Sequence, residues 1–317
     1  MSTARRVIQM KALVGVFLVV PLSGPASFPK VGRSRPWDIE GRVIERRSPS
    51  GQVLARLRLR PGTSPGEFTF EVEDFKHVAR AVGAGKISGR TAEVHLVESR
   101  SQTKIGMRAL AWGTEGEVRI TLSLDRLSFN LVVDEKVRAL ANELQRFIAS
   151  GTDDAQLSHL AHQLDSALQI RTGYLPFIEQ VKSSAAFDIL TTVRSLVAAI
   201  SPEDVRHNLA LALILEASRF LAPSTYSRAS IDVTRVEGNG QIVRIGHNGA
   251  AFYRGFRKGF HSSNLSLVQG SLIACFNWCM DNWRTCSSTC TQPAPLDAIC
   301  EAWCFATWVW CIIDCII

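Results

Sequence analysis

All eight cysteines lie in the last 43 residues, where their spacing offers two chemistries. They are Cys275, Cys279, Cys286, Cys290, Cys300, Cys304, Cys311 and Cys315. Each half reads Cys-x3-Cys-x6-Cys-x3-Cys, so the pattern is the same from either end. Oxidised, such sulfurs form disulfides; reduced, they form a thiolate nest suited to Cu(I). At 100° per helical residue, the four cysteines of each half fall within about 60° of one face. Pairing first with last and then inward gives Cys275–Cys315, Cys279–Cys311, Cys286–Cys304 and Cys290–Cys300. The residue numbers of every pair add to one total, as two antiparallel helices stitched by four rungs require. Eight cysteines allow about 105 connectivities, so spacing favours this ladder without proving it.

Other candidate chemistry fails on local grounds. Gly62-Thr63-Ser64-Pro65-Gly66 has the form Gly-x-Ser-x-Gly, but it falls between two expected strands. Pro65 also lacks the backbone N–H that an oxyanion hole needs, so the segment reads as a turn. Gly83-Ala84-Gly85-Lys86-Ile87-Ser88-Gly89 has neither the dinucleotide nor the phosphate-loop spacing. His159 and His162 lie one turn apart on an expected helix near Asp165, yet no further ligands can be named. A solvated helix face is the better reading. No catalytic residue, metal or cofactor is assigned, and the chain is read as a non-enzyme. Basic residues are not interleaved with aromatics as in nucleic-acid modules, so no nucleic-acid partner is expected.

The elements that carry the cysteines are themselves informative. Pro293 and Pro295 separate the two halves, and a short connection favours antiparallel neighbours. From Leu296 the second helix has 22 residues, about 33 Å, close to the thickness of a hydrocarbon core. Within Ile299–Ile317 only Glu301, Thr307 and Asp314 are polar. A helix apolar all round needs either a protein core or a membrane. Five of the seven tryptophans fall in this module, and tryptophan favours membrane–water interfaces. The expected membrane-contacting set is Phe276, Trp278, Trp283, Trp303, Phe305, Trp308, Trp310, Ile312 and Ile313.

Residues 1–26 read as a secretory signal peptide: Arg5 and Arg6, an apolar run from Ala12 to Val20, then Gly24-Pro25-Ala26. Secretion would favour disulfides over thiols. Residues 27–133 alternate with a period of two and read as a strand-rich domain, with one short helix over Asp74–Val82 closed by Gly83. Residues 134–250 read as mainly helical, over Val137–Ile148, Ala155–Ile170, Phe177–Ile200 and Pro202–Leu221. A late β-hairpin turns at Asn239-Gly240. Residues 251–263 read as a linker with Arg257 and Lys258 as a processing site, and 264–317 as the cysteine-rich hairpin. The expected fold class is therefore α+β, closed by a disulfide-stapled antiparallel helical hairpin.

The chain carries a formal charge of +7. From Ser262 onward Arg284 stands against Asp281, Asp297, Glu301 and Asp314, which is −3 and leaves +10 for the rest. Such an imbalance would suit a contact between the basic domain and the acidic hairpin, or an anionic surface.

This layout of export signal, cysteine-free region and disulfide-rich tail resembles precursors of secreted peptide bacteriocins of the halocin C8 type. The resemblance implies a released membrane-active peptide and an N-terminal part that shields it and protects the producer. It transfers no individual residue. On this reading the chain is a secreted, bacteriocin-like antimicrobial precursor whose partner is the target-cell membrane. Two alternatives stand beside it. Cysteines four apart on packed helices also resemble the copper storage proteins, which implies an exported Cu(I)-binding protein. The hairpin could equally remain attached, as the stapled cap or anchor of a secreted binding or structural protein.

Overall fold

The computed structural model describes residues 39–112, 116–151, 153–223, 232–237, 240–244 and 265–316. The proposed signal peptide, the linker 251–263 and the processing pair Arg257 and Lys258 lie outside these residues.

Eight strands form one antiparallel sheet in which spatial order follows chain order. They are β1 Arg42–Arg47, β2 Val53–Pro61, β3 Glu67–Asp74, β4 Ala79–Ser88, β5 Thr91–Glu98, β6 Lys104–Trp112, β7 Glu117–Leu124 and β8 Leu127–Val133. Alternation decides the two faces. Inward lies a row such as Leu59, Phe70, Gly83, Leu96, Ile105 and Leu124, each opposite the next in register. Outward on β1–β4, arginines and glutamates interleave: Arg56 bonds Glu45, Arg58 bonds Glu71, and Arg80 bonds Glu71. A polar outer face leaves only the inner one to be covered.

The helices supply that cover. They are α1 Glu135–Ser150, α2 Asp154–Leu168, α3 Leu175–Lys182, α4 Phe187–Ala198, α5 Pro202–His207 and α6 Leu209–Leu221. A single π turn at Ile170–Tyr174 joins α2 to α3. Two further helices, α7 Leu265–Ser287 and α8 Leu296–Ile316, form the cysteine-rich hairpin. A separate two-stranded ribbon pairs β9 Asp232–Glu237 with β10 Gly240–Arg244. Helix α4 lies against β1–β4, α6 against β5 and β6, and α8 against β6 and β7. Sheet, helices and hairpin share one hydrophobic core. The fold is α+β, as the alternation and periodicity imply.

One expected element is overturned. Asp74–Val82 is not a helix; it is the end of β3, a turn and the start of β4. The Asp74 carboxylate accepts the backbone N–H groups of Lys76 and His77, which closes the turn, and Val78 takes a left-handed φ of 52°. Beyond it, Gly83 and Gly85 sit opposite Phe70 and Phe68. A Cβ on either glycine would lie 2.2 Å from a phenyl carbon, so the rings occupy the space that side chains would need. Those glycines hide the apolar alternation of β4.

Two long helical runs are also broken. Ser183 and Ser184 turn their hydroxyls onto the carbonyls of Gln180 and Val181, ending α3 before α4 begins. Asn208 separates α5 from α6: its side-chain oxygen accepts the Leu211 N–H as an N-cap while its amide donates to the Glu40 carbonyl.

Candidate functional site

The hairpin is built from its cysteines outward. The bonds are Cys275–Cys315, Cys279–Cys311, Cys286–Cys304 and Cys290–Cys300, with Cα–Cα distances of 6.1, 5.8, 5.6 and 5.5 Å. That near-constant spacing is what two parallel-lying helix axes give at every level. Neighbouring rungs touch, with Cys279 Sγ 3.7 Å from Cys315 Sγ and Cys290 Sγ 3.7 Å from Cys304 Sγ. All eight sulfurs are bonded, so in this oxidised form none offers a thiolate to a metal. The Pro295 carbonyl accepts the N–H of Ile299 at the start of α8.

Side chains complete the staple. Trp283 of α7 stacks on Trp308 of α8, ring centroids 5.3 Å apart, and Phe305 lies 5.5 Å from Trp308. Ser287 donates to the Glu301 carboxylate across the hairpin, which satisfies one of the few charges on α8.

The other side of α8 rests on the domain. Trp303 meets Phe220 of α6 edge to face at 4.9 Å, and Trp310 meets Tyr174 of the π turn at 6.1 Å and 90°. Seven residues apart, the two indoles share one helix face. Their two seats are tied together, since the Tyr174 hydroxyl donates to the Phe220 carbonyl at 2.8 Å. Phe129 of β8 supports Tyr174 from behind at 5.4 Å. The pairs joining hairpin and domain here are aromatic.

The expected membrane-contacting residues lie mostly inside the protein. Phe276, Trp303, Phe305, Trp308, Ile312 and Ile313 are buried inside the protein; Trp278, Trp283 and Trp310 are half-buried. Helix α8 is long and apolar enough to cross a membrane, with mean hydropathy 1.6, yet 72% of that stretch is buried here. Two indoles are incompletely served. The Nε1–H groups of Trp283 and Trp308 are buried and have no hydrogen-bond partner among the described residues. A buried donor left unpaired costs about 1–3 kcal/mol.

The remaining sequence candidates do not gather into a site. Gly62–Gly66 is the β2–β3 turn, while Gly83, Gly85 and Lys86 belong to β4. On α2, His159 bonds Gln163, whereas Asp165 accepts the Arg171 N–H and faces its guanidinium at 3.5 Å. The chain matches no family model, no curated protein and no solved structure. The site therefore rests on geometry alone. Its most informative members beyond the hairpin are Tyr174 and Phe220, which sequence reasoning did not single out. The unbroken apolar run Leu209–Leu215 was the available signal that α6 serves as an inner wall.

Proposed function

We propose that this chain is a secreted, bacteriocin-like precursor that stores a membrane-active peptide, the four-disulfide hairpin, against a domain that shields it. The observation that carries this reading is the distribution of covalent bonds around α8. All four disulfides close within the hairpin and none ties it to the sheet or to α1–α6. Cleavage between α6 and α7, where Arg257 and Lys258 lie, would leave the hairpin intact and held only by non-covalent packing. A helix needed only as core would gain the same burial without such a ladder.

The apolar faces of α8 then have two homes. In the precursor they lie on Tyr174, Phe220 and the inner sheet face. After release, α7 covers only one side, and the exposed tryptophans and isoleucines would seek a bilayer. The Trp283 and Trp308 N–H groups, without a partner among the described residues, fit that second home, where headgroup and water oxygens accept hydrogen bonds. The domain serves as shield and, on the bacteriocin reading, as protection for the producer.

Mass spectrometry of secreted material is the direct test. The expected product is a C-terminal peptide of roughly 50–60 residues, lighter than its reduced form by the eight hydrogens of four disulfides. Recovery of intact chain only, with no leakage of vesicles by the released hairpin, would overturn the proposal. The burial of α8 favours a second reading, in which the hairpin is never cleaved and belongs permanently to the core. The same experiment separates them, because the hairpin would then always travel with the domain.

A further inference from the structure

The sheet presents two edges of turns, and one of them carries a row of exposed cations. The turns after β1, β3, β5 and β7 share that edge. Adjacent ones are tied by backbone bonds: Phe75 N to Leu54 O, Ser99 N to Arg80 O, and Asp125 N to Lys104 O. Along them stand Arg47, Lys76, Arg80, Arg100, Lys104 and Arg126, all exposed, against the carboxylates Asp74, Glu98 and Asp125.

Two of those carboxylates are withdrawn from the surface. Asp74 and Glu98 are only 1% and 3% exposed and spend their oxygens on the turns behind them. Arg47 and Arg80 are held by Glu45 and Glu71. No side-chain ion pair holds Lys76, Lys104 or Arg126 among the described residues, and Arg100 makes no close ion pair, its charge acting only on the Glu98 carboxylate. On the outer face of β1–β4 most arginines pair with glutamates, Arg60 excepted, whereas on this edge Lys76, Lys104 and Arg126 face solvent together and Arg100 has only the withdrawn Glu98 carboxylate beside it.

Apolar side chains stand among them. Phe75, Val78 and Leu127 are 44%, 86% and 49% exposed. Val78 is the most telling. Each of the four turns uses one left-handed residue: Gly51 at φ 85°, Val78 at 52°, Gln102 at 58° and Asp125 at 50°. Glycine, asparagine and aspartate tolerate that conformation, but a β-branched residue there is strained. At 86% exposure Val78 also gains almost no packing. Folding therefore disfavours valine at this position, and a role outside folding would account for it.

We propose that this edge is a docking surface for an anionic phospholipid bilayer. The cations would meet acidic headgroups while Phe75, Val78 and Leu127 enter the interface. A soluble polyanion such as DNA would satisfy the charges but gives the apolar tips nothing to enter. The surface belongs to the domain, so the proposal stands independently of hairpin release.

Flotation of the intact protein with vesicles tests it. The protein should bind phosphatidylcholine vesicles containing phosphatidylglycerol, bind pure phosphatidylcholine far more weakly, and lose binding as salt rises. The triple substitution K76E/R100E/R126E should weaken binding to the anionic vesicles by about a hundredfold. V78N should weaken it about threefold to tenfold while raising the urea midpoint, because asparagine accepts the left-handed backbone. Unchanged binding by the triple variant would overturn the proposal and assign the lipid contact to another surface, the hairpin included. Undiminished binding by V78N, with DNA competing at equal phosphate concentration, would overturn it in favour of a polyanion.

Discussion

Removing single rungs from the ladder distinguishes nested crosslinks from independent loops. The comparison is C275A/C315A against C290A/C300A, which delete the outermost and innermost bonds and leave no stray thiol. Their sequence separations are 40 and 10 residues. If each bond acted alone, loop-closure entropy would make them worth about 3.9 and about 2.8 kcal/mol, a gap of about 1 kcal/mol. In the structure the outer rung never closes a long loop, because Cys279–Cys311 already joins the chain just inside it. It closes a ring of about ten residues, worth about 2.7 kcal/mol. The two variants should therefore lose nearly equal stability. Urea unfolding followed by tryptophan fluorescence is the assay, and it reports this region directly: five of the seven tryptophans are Trp278, Trp283, Trp303, Trp308 and Trp310. An outer deletion costing about 1 kcal/mol more than the inner one would refute the nested ladder, and so would the absence of any cost.

Three further outcomes are expected. G83A should cost about 1–3 kcal/mol in urea unfolding, since its Cβ would meet the Phe70 ring, and adding F70L should restore part of the loss. D74N should cost about 1–3 kcal/mol at neutral pH by unsettling the bonds from Thr192, His77 and the turn backbone. Burial pushes the Asp74 carboxyl up, but those donors outweigh it and hold the group below its ordinary value. Its contribution is complete above the unfolded carboxyl range and is lost as pH falls through the folded value, so unfolding measured across acidic pH should show a shallower acid limb in D74N. Glu216 has the opposite sign: burial raises its carboxyl despite Arg219 beside it, so its contribution is greatest in acid and declines as pH rises through the folded value. E216Q, which removes the titrating group, should flatten that decline in the same series.

Much of this architecture is legible because it follows short-range rules. Cysteines at 0, 4, 11 and 15 in each half place the sulfurs on one stripe of each helix, and a proline-broken connection turns the second stripe back onto the first. Strand alternation from Val53 to Val133 reveals the inward face wherever apolar residues mark it. The reading failed at β4, where glycines face inward because Phe68 and Phe70 fill the space from the neighbouring strand. Cross-strand compensation of that kind cannot be seen within one segment. The seat of the hairpin was hidden for a related reason. Tyr174 and Phe220 are 46 residues apart and meet only through a hydrogen bond formed in the folded chain. The home of α8 was equally open, because a helix apolar all round fits a core or a bilayer and only packing decides between them.

The central claim is that α8 is held in reserve by the domain and acts on membranes once freed. Its most direct test is dye release from lipid vesicles, comparing the intact chain with the oxidised hairpin freed from it by cleavage between α6 and α7. The expected result is leakage caused by the freed hairpin, little from the intact chain, and suppression when the separated domain is added back. Equal inertness of both forms, or equal leakage from both, would contradict the claim.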